Sequence, residues 1–148
     1  MAIDLSKMTL PEIFQHISDL PASKRADALK KIGSLLIDVK ILLHYTYHKN
    51  VVMALPDGIP PYKPMDVPKN MGLNRLPGEM RRLSYLLPTS NLNAIKREKM
   101  FIDMLEALSP EEAKLLLMVK NKKLEYKGIT RKLVEEVFPE IFVGENQV

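Results

Sequence analysis

His44 and His48 stand four residues apart in a stretch of helical patterning, the spacing at which two imidazoles can reach one metal ion from a single helix face. Two ligands make only half a site. The zinc-protease pattern needs Glu directly after the first His, where Tyr45 stands, and spacing places no third ligand, so no metal is expected. The imidazoles read instead as polar groups near a helix C-terminus.

The acid pairs Glu111/Glu112 and Glu135/Glu136 are adjacent in sequence, so on a helix they diverge by about 100° and form no carboxylate dyad. There is no G-x-S-x-G elbow, no phosphate loop and no G-x-G-x-x-G turn. With no cysteine, disulfides, thiolate catalysis and Cys-ligated metals are excluded. The expectation is a protein that is not an enzyme and holds no cofactor.

Two segments have the chemistry of surfaces. Pro61-Tyr62-Lys63-Pro64 has P-x-x-P spacing, which makes Pro60, Pro61, Tyr62, Lys63 and Pro64 candidates for docking a partner, against the alternative of a strap packed on its own domain. Residues 120–132 carry Lys120, Lys122, Lys123, Lys127, Arg131 and Lys132 against the single acid Glu125, a candidate row for nucleic-acid phosphates. The connection over 124–129 is longer than a helix-turn-helix joint, so any such binding would be sequence-tolerant. The net charge of +4 permits a nucleic-acid partner without demanding one. The nine methionines are scattered and read as core filling more readily than as an adaptable binding face.

The elements that position these groups are helices. Length and the 46% hydrophobic content suit one domain with a real core, and the Leu, Met, Ala, Lys and Glu bias favours an all-α bundle of about six or seven short helices. Thr9-Leu10-Pro11-Glu12 opens a helix carrying Ile13, Phe14 and Ile17 inward. A second pattern starts near Ser23, and Gly33-Ser34 reads as a break before a central helix reaching about His48, with Leu35, Leu36, Ile37, Val39, Ile41, Leu42, Leu43 and Tyr45 on a broad buried face. Residues 51–75, with Pro56, Pro60, Pro61, Pro64 and Pro68, form an extended strap laid on the helices by points such as Met53, Leu55, Ile59 and Tyr62. Residues 79–87 make a short helix, and 92–108 a longer one with Ile95 inward and Arg97 outward. Ser109-Pro110-Glu111-Glu112 starts the next, with Glu112 closing a capping box, and Thr130 caps a last helix stopping before Pro139. The divisions are N-terminal helices over 1–50, the strap over 51–75 and C-terminal helices over 76–148. Neither a signal peptide at Met1 to Leu10 nor a span of about 20 apolar residues is evident, so no membrane association is expected.

The stretch 101–117 around Ser109-Pro110-Glu111-Glu112, residues 120–130 and Val137-Phe138-Pro139, together with Leu55-Pro56-Asp57-Gly58 and Pro60-Pro61-Tyr62-Lys63-Pro64, resembles a family of small uncharacterised proteins of large contractile-tailed bacteriophages and marine cyanophages. The similarity touches most of the chain beyond about Ser34. It implies a viral source and a place in the cytoplasm of the infected bacterium or in the virion, but no activity. The function expected is a binding or adaptor protein acting on a host or phage protein. The alternatives are an accessory nucleic-acid-binding protein using 120–132 and a structural component of the virion.

Overall fold

The first helix is set by its cap: the Glu12 N–H donates to Thr9 Oγ1 (3.5 Å) and the Thr9 N–H donates back to Glu12 Oε1 (3.0 Å), closing the expected box. Helix α1 (Leu10–Asp19) turns Ile13, Phe14 and Ile17 fully inward. The computed structural model describes residues 7–68 and 71–145. Further α-helices follow: α2 (Ala22–Leu35), α3 (Ile37–Tyr47), α4 (Leu76–Glu79), α5 (Ala94–Ala107), α6 (Pro110–Lys120) and α7 (Arg131–Val137). Tighter 3-10 segments occupy Met80–Leu86 and Pro139–Phe142, and no strand occurs among the described residues. The architecture is an all-α bundle.

Side-chain caps place the later helices too. Asn93 Oδ1 accepts from the Lys96 N–H (2.8 Å), Ser109 Oγ from the Glu112 N–H (3.2 Å) and Thr130 Oγ1 from the Leu133 N–H (3.2 Å), each cap worth about 1 kcal/mol. Helix α3 is central, packed on α2, on α6 and on Pro139–Phe142, with Val39, Leu42 and Leu43 completely buried. Buried apolar side chains from every α-helix join one cluster.

Tertiary packing overrides several local expectations. Gly33-Ser34 is no break: α2 runs through it, and the chain turns at Leu36 (φ −121°, ψ 99°). Gly33 is needed where it lies because the Phe138 ring fills the space a side chain would take. Ser34 donates its hydroxyl back to Lys30 O (2.8 Å), and Leu35 and Ile37, flanking the corner at Leu36, are exposed instead of buried. On α5 the roles of Ile95 and Arg97 are reversed. The Arg97 guanidinium is drawn inside by Leu92 O (2.6 Å) and Ala54 O (3.5 Å), and a residue two positions away on a helix must then face outward, leaving Ile95 80% exposed. The helix expected over 79–87 begins at Leu76 and tightens to 3-10 from Met80. Glu112 closes no capping box; its Oε2 accepts from the Leu76 N–H (2.7 Å), tying α6 to the start of α4.

Residues 51–68 run without helix or strand. Met53 is buried and Leu55 and Tyr62 pack on the core, whereas Ile59, expected as an anchoring point, is exposed, as is Val52. Three bonds fix the course: the Ala54 N–H donates to Leu86 O (2.8 Å), the Lys63 N–H to Glu106 Oε2 (2.7 Å) and Lys120 Nζ to Gly58 O (2.8 Å).

Candidate docking groove

The two histidines serve the fold. His48 Nδ1 accepts from the Asn50 N–H (3.1 Å), and the ring's Nε2–H donates to Val143 O (3.0 Å). His44 Nδ1, 2.8 Å from Ile141 O, carries the proton of that bond. Three of the four ring nitrogens thereby hold backbone groups, and no cluster of metal-binding side chains occurs among the described residues.

The six basic residues of 120–132 do not form one exposed row. Lys122 folds inward, its Nζ donating to Tyr45 O (2.9 Å), His48 O (2.6 Å) and Val51 O, and so closes the carbonyl end of α3. Burial, reinforced by the charge of Arg131, pushes its amine down to about 8. Arg131 donates to Tyr47 O and pairs with Glu135 (2.5 Å) and Glu145. Lys120 holds the strap. Lys123, Lys127 and Lys132 are exposed. In the strap, Pro61, Lys63 and Pro64 face outward, Pro60 is half-buried, and Tyr62 lies partly under cover against the core.

Sequence reasoning passed over the outer faces of α1 and α6. On α1 the buried set Leu10, Pro11, Ile13, Phe14, Ile17 and Ser18 leaves Glu12, Gln15, His16 and Asp19 along one side, three or four residues apart, with Met8 just before the helix. On α6 the inward set Ala113, Leu115, Leu116 and Val119 leaves Glu111, Lys114 and Met118 at the same spacing. These two stripes wall an open cleft of about 530 Å³, and Tyr126, stacked on Phe14 at 5.7 Å, forms part of its floor. Met8, Met118 and Tyr126 are only partly buried, and burial pushes the Tyr126 phenol up to about 12, so the ring stays neutral. Glu12 is held by Thr9, and Asp19 Oδ1 accepts from Gln15 Nε2 (2.9 Å). The carboxylates therefore sit in place before anything binds. The outer stripe of α1 was visible as periodicity, but its pairing with α6 was not, since nothing local connects residues 12 and 111.

The molecule is thus a small all-α bundle with an open cleft between α1 and α6, lined by thioether, aromatic and carboxylate groups. Residues 19–126 match a family described as a family of unknown function (DUF6433), and the chain belongs to that family. The matched segment takes in the α6 wall and Tyr126, while Met8 to His16 of the α1 wall precede it. No curated protein and no solved structure matches the chain. Among the described residues, no helix is long and apolar enough to cross a membrane.

Proposed function

We propose that this chain is a phage-encoded, non-enzymatic binding or adaptor protein that docks a host or phage protein in the groove between α1 and α6. The observation that carries the reading is the floor of that groove. Met8, Met118 and Tyr126 keep apolar surface open to solvent between two helices whose inner faces are closely packed. Covering it returns roughly 25 cal/mol per Å² of apolar area, and the two thioethers adapt to an incoming shape. The resemblance to proteins of contractile-tailed phages supports the source and a place in the infected cytoplasm or the virion. A nucleic-acid role has narrower support, because Lys120, Lys122 and Arg131 have internal acceptors.

The test is site-specific crosslinking in infected cells. A photoreactive residue at Gln15 or Lys114 is expected to give a discrete adduct with one identified protein, and the same residue at exposed Lys31 on α2 is not. Loss of the adduct at both groove positions, in a variant that melts like the parent, would count against docking there. Mass spectrometry of purified virions separates the remaining alternative: a structural component is present at defined copy number.

A further inference from the structure

We infer that the occupant of the α1–α6 groove is a cationic amphipathic helix of a partner protein, its apolar stripe seated on Met8, Met118 and Tyr126 and its Lys or Arg side chains against Glu12, Asp19 and Glu111. The inference rests on the docking reading above and adds the chemistry of the partner. The charge distribution carries it. Lys and Arg outnumber Asp and Glu by 22 to 18 over the chain, yet the groove reverses that balance, with three carboxylates facing it against Lys114, and His16 beside them. A phosphate backbone or an anionic lipid headgroup would meet like charge there; a row of ammonium or guanidinium groups meets opposite charge.

Shape selects a helix. Among the described residues there is no strand edge for an extended peptide to lengthen, whereas a channel between two helices accepts the ridge of a third. The ten residues of α1 give a wall about 15 Å long at 1.5 Å per residue, which takes about three turns of partner helix with anchors at i, i+3 or i+4 and i+7. Lys114, one turn from Glu111 on the α6 wall, adds selectivity: a partner cation placed against it is repelled, so the cations must be spaced to meet the three carboxylates and avoid it.

The experiment uses the full chain, isotope-labelled, titrated by NMR with two 14-residue helix-forming peptides that share one leucine stripe and differ only in carrying Lys or Glu at every polar position. The Lys peptide is expected to move the resonances of Gln15, His16, Lys114 and Tyr126, and to lose at least tenfold in affinity for an Asp19→Lys/Glu111→Lys variant. The Glu peptide is expected to bind that variant better than the parent. Should the reversal unfold the protein, Asp19→Asn/Glu111→Gln carries the same test with a smaller loss. Equal binding of both peptides, shifts elsewhere on the molecule, or Lys-peptide affinity indifferent to the charge changes would overturn the inference. So would the same resonances responding to self-association, or to removal of residues 1–6, with no response to peptide. A crosslinked partner at Gln15 together with failure of the Lys peptide would overturn the cationic helix while leaving the docking reading standing.

Discussion

The Phe138 ring rests on the backbone of Gly33 so closely that a Cβ at position 33 would lie 2.3 Å from Cζ and 2.9 Å from Cε2. The contact joins the residue just after α7 to the interior of α2, and it explains a glycine buried where α-helical propensity argues against one.

In an open helix, Gly33→Ala would gain about 1 kcal/mol. Here the ring must move, and the substitution is expected to lower stability by about 1–3 kcal/mol, read as a fall in denaturation midpoint. Adding Phe138→Leu should recover part of the loss. A rise in Tm for Gly33→Ala alone would mean that the ring yields without cost.

Lys122 occupies the left-handed position after α6 (φ +63°), with its N–H donating to Val119 O and the Lys123 N–H to Met118 O. Glycine is the usual residue there. Its three-carbonyl grip on the end of α3 offsets the strain. Lys122→Ala is expected to cost about 2–4 kcal/mol, and Lys122→Gly about 1 kcal/mol less, since it relieves the backbone while losing the same bonds. Chemical denaturation of the pair decides it: equal midpoints would show that the backbone is unstrained.

Glu112 titrates above the usual carboxylate range because burial disfavours its charge, an effect the Leu76 N–H and Arg75 only partly offset. Between the unfolded and folded values the folded state holds a proton that the unfolded state has released. Stability from this group is full below 4.5 and lost as pH rises through the folded value. Glu112→Gln keeps an acceptor for Leu76 and should be more stable than the parent at pH 7–8, the difference vanishing below pH 4.5. Melting curves of the two proteins across pH 3.5–8 measure it. A constant difference would place the effect outside titration.

If the chain contacts duplex DNA through 120–132, only the side chains of Lys123, Lys127 and Lys132 among the basic residues of that row are exposed and without an internal bond, so the salt slope should not exceed about −2.7, at −0.9 for each of three phosphates. Changing those three to Ala should abolish binding and leave Tm within a degree or two. Lys122→Ala should do the opposite. A slope near −5 would require Lys122 and Arg131 to leave their carbonyls.

What was legible in the sequence was local. Thr9, Ser109 and Thr130 announce their helices because a cap needs only the next three residues. The residues given the wrong role have remote partners: Glu112 with Leu76, Arg97 with Ala54, Gly33 with Phe138. Periodicity also misled at Ile95, because a pattern of apolar residues cannot say that two carbonyls will draw an arginine inside. The groove escaped for the same reason; its α1 wall was readable as a polar stripe, but its opposing wall comes from a helix about a hundred positions later.

The closing of α3 by Lys122, Arg131 and the tail also bears on how the protein is made. His48 waits 74 residues for Lys122 and 95 for Val143. A ribosome delivers the N-terminal helices first, so the carbonyl end of the central helix stays bare until Lys122 and the residues up to Val143 have been added. A product truncated before Lys122 lacks the donor for three carbonyls, and such a fragment is a ready substrate for proteolysis.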